Sequence, residues 1–345
     1  MDRASHLSVV IDFSPIQWHL SAQPTNSHPL SLSTFIVQLL TFLNAHIACK
    51  DENTLAVYGA LPGRSVLLYS SKTAAPEDNT DAADPNSYRP FRLLDSTVMN
   101  SIVREVETLG NAEHEEPVEL VGAITKSLCY INRMNAVAAA TTSNSQSTSE
   151  DPNVLPDPRI LIISVSPDHS SSYIPVMNSI FSAQKLKVTI DVCKIYGPEN
   201  VFLQQAAHLT GGSYIHLDRP EALLQYLTMS FLSPPAIRQL ISVPTQDKVD
   251  FRAACFCHKN IVDIGFVCSV CLSIFCQPVP VCSTCRTKFP IKTLQRLNAS
   301  KPTVPGRTPV GSRTPSTSNG TPRPAPANGN IQTGRNGSST PAPTR

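Results

Sequence analysis

Seven of the chain's ten cysteines lie within residues 255–285, in the stretch CFCHKNIVDIGFVCSVCLSIFCQPVPVCSTC. Four of them form two Cys-x2-Cys pairs, Cys268 with Cys271 and Cys282 with Cys285, with ten residues between the pairs. Pairs at this separation can close four thiolates around one tetrahedral Zn²⁺, whereas unrelated core cysteines rarely show such spacing. Because four thiolates leave no open coordination position, the pattern predicts a structural zinc ion and not a catalytic one.

A second group of candidate zinc ligands lies in the same stretch: Cys255, Cys257, His258 and Cys276. In a RING-like cross-brace, the first and third ligand pairs share one ion, and the second and fourth pairs share the other. Here Cys255 with Cys257 or His258 would form the first pair, and Cys276 would belong to the third. Cys257 and His258 are adjacent, which makes joint ligation of one ion awkward, and Cys276 lacks an obvious neighbouring partner. The ligand count supports a second zinc, and the alternative is that Cys276 is a small buried apolar residue.

Apolar residues between these ligands are too numerous for so small a module to bury alone. They are Ile264, Phe266, Val267, Val270, Ile274, Phe275 and Val281. We therefore expect some of them to face the rest of the chain or a partner.

Composition and the lack of targeting patterns indicate the compartment in which this cysteine cluster functions. The chain has 345 residues, 41% hydrophobic content and a net charge of +2, which suits at least one sizeable core. From residue 301 onward all charged residues are basic, so the preceding part is mildly acidic. We find no secretory signal pattern and no run approaching the ~18 apolar residues that span a bilayer. This predicts a cytosolic or nuclear protein, where cysteines stay reduced and bind metal.

The elements that precede the cluster alternate between strand and helix patterns. Predicted strands are SVVIDFS (8–14), TLAVYGA (54–60), SVLLYSS (65–71), RILIISVS (159–166), VTIDVCKI (188–195) and SYIHL (213–217). Predicted helices cover 33–49, 95–109, 117–135, 173–185 and 199–209, and a last helix is capped by Asp218. The Pro62-Gly63 turn makes the second and third strands antiparallel. The alternation predicts a three-layer, Rossmann-like α/β fold with a mostly parallel sheet.

The domain boundaries follow from shifts in composition. We predict an α/β domain at 6–234, a linker at 235–250, a C4 zinc finger at 251–292 and a disordered basic tail, rich in Pro, Ser, Thr and Gly, at 297–345. Polar insertions at 71–90 and 140–158 fit surface loops. Cys49, Cys129 and Cys193 lie in helix or strand patterns and are expected in the core.

A further candidate site lies at the end of the first strand. Asp12 and Ser14 follow its apolar run, at the edge where open α/β sheets bind their ligands. In von Willebrand A domains the motif here is Asp-x-Ser-x-Ser, a divalent-metal site, but the third position is Ile16, which offers no oxygen. Asp168 could approach from the fourth strand. We expect Asp12 and Ser14 to cap the following turn instead of holding a metal.

The combination of motifs resembles one family. A degenerate DFSPIQW strand end, then LTGGSYIHL and ALLQYL, then RAACFCHKNIVDIGFVCSVCLSIFC and CSTC are similar to the small von Willebrand A plus zinc-finger subunit of TFIIH, the general transcription and DNA-repair factor. The likeness covers about residues 6–290. The composition of the insertions and the tail hints at a fungal member.

The resemblance implies a nuclear, non-catalytic core subunit. Family members bind a sister subunit that also carries a von Willebrand A domain and a RING-like module, and that sister regulates a helicase of the complex. The complex opens promoter DNA for RNA polymerase II and damaged DNA in nucleotide excision repair. The family's four-cysteine finger carries over to Cys268, Cys271, Cys282 and Cys285. The resemblance implies Zn²⁺ as the only cofactor, no membrane and no small-molecule substrate.

Two other functions compete with this one. A RING-type ubiquitin ligase is disfavoured because the Cys-x-Cys-His start and the lone Cys276 do not give regular ligand pairs. Direct nucleic-acid binding is the other alternative, because residues 252–296 carry six basic residues against one acid, Asp263. No base-reading helix is evident there, which favours an ordinary solvated basic face.

Overall fold

The computed structural model describes residues 4–72, 88–109, 116–144, 156–168, 173–238, 240–241, 249–258 and 260–299. Most of the predicted tail, 297–345, and most of both predicted insertions lie outside these ranges. Residues 297–299 are an exception to the predicted disorder, because they belong to a helix that begins at residue 291.

Six strands form the main sheet, in the spatial order β3-β2-β1-β4-β5-β6. They are β1 (Ser5–Asp12), β2 (Thr54–Leu61), β3 (Arg64–Ser70), β4 (Asp157–Ser164), β5 (Thr189–Lys194) and β6 (Tyr214–His216). Only the β2–β3 pair is antiparallel, and every other neighbouring pair in this sheet is parallel. The predicted mostly parallel sheet is therefore confirmed, together with the hairpin at Pro62-Gly63, where Gly63 has φ of 67°.

Helices cover both faces of this sheet. They are α1 (Pro15–Ser21), α2 (Leu32–Cys49), α3 (Arg89–Leu109), α4 (Leu120–Asn144), α5 (Tyr173–Leu186), α6 (Val201–Thr210), α7 (Leu223–Tyr226) and α8 (Pro235–Arg238). Helix α1 was not predicted, and its N-cap is Ser14, whose hydroxyl accepts a hydrogen bond from the Gln17 amide at 3.4 Å. The arrangement is the predicted three-layer von Willebrand A-like fold.

Strand residues alternate between two apolar cores. On one face Leu7, Val9 and Ile11 pack with residues of α2, α3 and α7. On the other face Val10 packs with β4 and β5 residues beneath α4, α5 and α6. Both faces of the central strands are therefore buried, as a parallel sheet between two helical layers requires.

Helix α2 departs from the sequence-based expectation about apolar runs. Its 18 residues have a mean hydropathy of 1.5, so that length and composition alone would allow it to cross a bilayer. In the structure Phe35, Leu39 and Phe42 are fully buried in the first core. The apolar composition is explained by packing against the sheet, and α2 is a core helix.

The end of the α/β domain differs from its prediction. Asp218 does not cap the last helix: a 3₁₀ turn at Pro220–Ala222 has Arg219 as its N-cap, without a side-chain cap bond, and leads into α7. A π-helical turn, Leu227–Phe231, continues α7. Its free carbonyls are satisfied by the buried Arg159, which donates to the carbonyls of residues 231, 232 and 233 at 2.9, 3.3 and 3.1 Å.

Two of the cysteines expected in the core are on the surface. Cys193 on β5 is buried, whereas Cys49 at the end of α2 and Cys129 on α4 are exposed. Along a helix, successive residues face the core and the solvent in turn. A cysteine in an apolar helix is therefore buried only if it lies on the face toward the core.

The C-terminal module is small and packs on the α/β domain. It contains a two-stranded antiparallel ribbon, β7 (Phe266–Val267) and β8 (Ile274–Phe275), and ends in α9 (Ile291–Ala299). Ala254 is fully buried in the second core, and Phe256 packs against the same core. The Gln205 side chain on α6 donates to the Asp250 carbonyl at 2.6 Å, which fixes the start of the module.

Candidate metal centres

The four cysteines of the predicted C4 site come together in the structure. The sulfurs of Cys268, Cys271, Cys282 and Cys285 all lie within 4.8 Å of one another. The Cys268–Cys285 and Cys271–Cys282 sulfur pairs are 3.7 and 3.5 Å apart. A tetrahedron with Zn–S bonds of about 2.3 Å has sulfur–sulfur edges of about 3.8 Å, so the four sulfurs suit one zinc ion.

The first knuckle of this site owes its shape to a tight turn. The Cys268 amide donates to the Ser273 carbonyl at 2.9 Å, and the Leu272 amide donates back to the Cys268 carbonyl at 3.0 Å. Leu272 has φ of 60°, in the left-handed region. Hydrogen bonds from the Ser273 hydroxyl and amide lower the pKa of Cys271 to about 6. The turn therefore favours the thiolate, which is the form that binds metal.

The second knuckle repeats this geometry. The Cys282 amide donates to the Thr287 carbonyl at 2.9 Å, and Arg286, with φ of 60°, donates its amide to the Cys282 carbonyl at 2.9 Å. Hydrogen bonds from the Thr287 hydroxyl and amide lower the pKa of Cys285 below its ordinary value. Each Cys-x2-Cys pair is thus held by the same kind of hydrogen bond, from the amide of its first cysteine to the carbonyl five residues later.

The remaining four predicted ligands form a second cluster. The ligand atoms of Cys255, Cys257, His258 and Cys276 also lie within 4.8 Å of one another. The Cys257 and Cys276 sulfurs are 3.6 Å apart, and His258 Nδ1 is 3.2 Å from the Cys276 sulfur. The adjacency of Cys257 and His258 does not prevent both from reaching one point, because the chain turns sharply there.

A third knuckle explains how this cluster is built. The Cys255 amide donates to the Asn260 carbonyl at 2.9 Å, which is the same five-residue bond as in the other two knuckles. The bridge from Ala254 to Ile261 occupies the position that the Val281–Lys288 bridge occupies in the second knuckle. Cys255-x2-His258 is therefore a Cys-x2-His knuckle, with Cys257 as an additional candidate ligand inside it. The sequence left open whether Cys255 pairs with Cys257 or with His258, and this turn favours His258.

The second cluster has the electrostatics of a cation site. Burial, followed by the neighbouring Cys257 and Cys255 thiols, raises the pKa of Cys276 to about 11. Like charges held this close repel each other, and a divalent cation would remove the repulsion and favour the thiolate. The two clusters alternate along the chain: Cys276 of the second cluster lies between the two knuckles of the C4 cluster, as in a RING-like cross-brace.

At the end of β1 the candidate site is filled by internal hydrogen bonds to Asp12. Asp12 is fully buried, and its carboxylate accepts hydrogen bonds from the amides of Ser14, Val165 and Ser166 at 3.1, 3.1 and 2.8 Å. The Asp12 bond to Ser14 and the Ser14 N-cap confirm the expected capping of the following turn. Asp168, the other acidic residue proposed here, accepts a hydrogen bond from the amide of residue 202 at 3.4 Å.

In the C-terminal module, one of the six basic residues counted from the sequence is already paired with carboxylates. Arg252 is paired with Asp250 at 2.6 Å and with Asp263 at 2.7 Å. Lys259 lies outside the described residues. Two carboxylates thus neutralise the first of the six basic residues, which weakens the case for a phosphate-binding stripe.

Comparisons with known proteins give one consistent family. A family model described as transcription factor Tfb4 matches residues 4–286. The general transcription and DNA repair factor IIH subunit tfb4 of Schizosaccharomyces pombe is 39% identical over 299 residues, which are 86% of this chain and 92% of the relative. The general transcription factor IIH subunit 3 of Dictyostelium discoideum is 37% identical over 273 residues, 76% of this chain and 69% of the relative.

A solved structure agrees with these sequence matches. The crystal structure of the TFIIH p34 N-terminal domain has a TM-score of 0.53 and 29% identity, and the match covers 66% of this chain and 98% of that domain. The family match is longer, and it includes the six-stranded sheet and both metal clusters.

Proposed function

The chain belongs to the Tfb4 family of subunits of the general transcription and DNA repair factor IIH, and from this premise we propose that it is a non-catalytic core subunit of that assembly. In this role it binds a sister von Willebrand A/RING subunit in the nucleus. Through the assembly it acts in RNA polymerase II initiation and in nucleotide excision repair, with only indirect contact with DNA.

The observation that carries this proposal is an apolar surface on a rigid metal-organised module. Exposed large apolar side chains are concentrated there: Ile264, Val267, Val270, Leu272 and Ile291 are 58–73% exposed. Leu272 is presented on the left-handed turn that the C4 site imposes. Apolar side chains held outward by a fixed backbone suit a protein partner, because little conformational entropy is lost on binding.

Purification of the tagged chain from its source tests the assembly role. We expect the other factor IIH core subunits, chiefly the sister subunit, to co-purify. Val270→Asp should weaken this association, whereas the control Val37→Asp, on a 66% exposed position of α2, should not. Co-purification without any factor IIH subunit, or autoubiquitination with a panel of conjugating enzymes, would refute the role.

We also propose that the module holds two structural Zn²⁺ ions. Cys268, Cys271, Cys282 and Cys285 hold one, and Cys255, Cys257, His258 and Cys276 hold the other. The support is the pair of ligand groups, each gathered within 4.8 Å, and the shared turn of all three knuckles. Four protein ligands per ion leave neither zinc an open position, in keeping with a structural role.

Zinc counting by native mass spectrometry separates the two sites. The intact chain should carry two zinc ions, and Cys282→Ser and His258→Ala should each retain one, because each leaves a three-ligand site. The exposed Cys49→Ser is the matched control and should retain both. One zinc in the intact chain, unchanged by His258→Ala, would limit the proposal to the C4 site.

A further inference from the structure

Three polar residues occupy the last positions of three neighbouring strands. Asp12 ends β1, Ser164 ends β4 and Lys194 ends β5. Ser164 is paired in register with Lys194, and Ile11 with Ile163, so the three side chains lie on the same face of the sheet. All three are buried, with Ser164 and Lys194 fully excluded from solvent.

Several hydrogen-bond donors converge on the Asp12 carboxylate. Besides the three backbone amides described above, it accepts a hydrogen bond from the Ser166 hydroxyl at 3.0 Å. A buried carboxylate also requires a compensating positive charge nearby.

Lys194 supplies that compensating charge. Its ammonium Nζ donates to the Ser166 carbonyl at 2.5 Å, and Ser166 bonds to Asp12 through both its amide and its hydroxyl. Burial lowers the pKa of Lys194 to about 8, while Asp12 and Asp168 oppose the shift. The amine is therefore protonated at neutral pH, and one residue connects it to the carboxylate.

The residues at this edge do not fit a divalent metal ion. Mg²⁺ demands a nearly octahedral shell of oxygens and usually keeps several waters. The cavity beside Asp12 and Asp168 has a volume of about 40 Å³, room for one or two water molecules. Ile16 is 45% exposed and carries no oxygen, and the oxygens of Asp12 are already engaged.

We propose that the Lys194 ammonium is the resident cation of this edge and takes the place of the divalent metal of von Willebrand A sites. The carboxylate and the amine form an internal charge pair through Ser166. The fold is consequently stabilised here without metal, and partner association at this edge does not depend on Mg²⁺.

Asn200 adds to this network. It is 2% exposed, and its side-chain amide donates to the Ser166 carbonyl at 3.1 Å. The Ser166 carbonyl therefore accepts from both Lys194 and Asn200, which holds it in place for the amine.

The test uses the full chain and its Lys194→Ser variant in metal-controlled buffer, with Mn²⁺ and Mg²⁺ as probes and thermal unfolding as the readout. Lys194→Ser should lower Tm by about 10 °C, because it leaves the Asp12 carboxylate buried without its compensating charge. Neither ion should raise the Tm of the unaltered chain, because the Asp12 oxygens already accept hydrogen bonds.

A thermodynamic cycle keeps the proposal falsifiable if Lys194→Ser does not fold. Asp12→Asn, Lys194→Met and the double variant are compared with the unaltered chain. We expect the double variant to lose less Tm than the two single losses together, because neither charge is then unpaired. Additive losses, or a rise in the Tm of the unaltered chain with Mg²⁺, would overturn the proposal.

Discussion

The imidazoles of His6 on β1 and His46 on α2 are both buried. His6 bonds through its two ring nitrogens to Thr54 and Ser8 hydroxyls at 2.8 and 3.0 Å, and His46 Nε2 is buried without a hydrogen-bond partner. Burial lowers the pKa of His6 to about 3 and that of His46 to about 4. Both imidazoles are therefore neutral in the folded chain at any pH in common use.

This pair predicts a specific loss of stability in mild acid. The ordinary pKa of histidine is 6.5, so below that pH the unfolded chain binds protons that the folded chain cannot. The stability associated with each histidine is complete above pH 6.5 and is lost toward pH 4, at about 1.4 kcal/mol per pH unit. Urea unfolding between pH 7 and pH 5 measures this slope, which for the two residues averages about 2 kcal/mol per unit over that interval and approaches about 3 near pH 5.

A matched pair of variants assigns the acid sensitivity. His46→Gln removes one titrating group and should reduce the slope by about half. His19→Gln, at an exposed position of α1, should leave it unchanged. Equal slopes in the unaltered chain and in His46→Gln would contradict the assignment.

At this scale the sequence predicted every candidate metal ligand but not their local geometry. All eight candidate ligands are recognisable because the spacing of the cysteines is set by the knuckle itself, which is a local structure. Lys194 was missed, because a lysine at the end of an apolar run is typical of a solvated strand end. Its burial depends on β1, β4 and α6 meeting at one edge, and this is tertiary information.

Between β5 and β6 the turn after α6 depends on two consecutive glycines with different roles. Gly211 ends α6 with φ of 72° and has open space around the position of a Cβ. Gly212 has no such φ, but a Cβ there would lie 1.9 Å from the Ile190 carbonyl oxygen. The first glycine is needed for its backbone conformation and the second for close approach to β5.

Alanine at each glycine should therefore have unequal effects. Gly211→Ala should cost about 1 kcal/mol of unfolding free energy, the cost of a left-handed residue. Gly212→Ala should cost clearly more, because the Ile190 backbone must move and the β5–β6 pairing with it. Denaturant unfolding of both variants tests this order, and a milder effect for Gly212→Ala would show that the turn relaxes freely.

Elements with a strong period were predicted better than element ends. The six strands were found because buried parallel strands are continuous apolar runs, yet β1 starts at Ser5 and not at residue 8. The last helix was predicted from Asp218 and Pro220, which satisfy the rules for a helix start. The structure has a 3₁₀ and a π-helical turn there, since Arg159 on another strand fixes where the carbonyls must lie.

Over the whole molecule the metal module and the α/β domain share a core. The ring of Phe256 lies 6.5 Å from that of Tyr173 on α5, and Phe251 lies 5.1 Å from His208 on α6. Ala254, next to the ligand Cys255, is fully buried in the second core. Composition placed a boundary at residue 251, but it could not show these contacts, because such residues look like ordinary parts of a zinc finger.

The shared core predicts that the second metal cluster influences the α/β domain more than the C4 cluster does. Cys255→Ser should release the Cys-x2-His knuckle, because metal-binding energy is folding energy in so small a module. Ala254 and Phe256 should then leave α5 and α6, and the Tm of the α/β domain should fall by about 5 °C, equivalent to one or two buried apolar side chains. Cys282→Ser should lower that transition less, since its cluster packs mainly within the module and shares Phe256 with the second core.

The chain contains its own reporter for this experiment. Trp18 is the single tryptophan, and it is buried in the first core with its ring 4.6 Å from that of Phe35. Its fluorescence follows the unfolding of the α/β domain, and it lies in the core on the face of the sheet opposite the module. A larger fall of the Trp18 transition in Cys255→Ser than in Cys282→Ser would show that the second metal cluster supports both domains. A Trp18 transition that stays at its value in the unaltered chain in both variants would show that the module and the α/β domain unfold independently, because the contacts of Ala254 and Phe256 would then add no stability to the sheet.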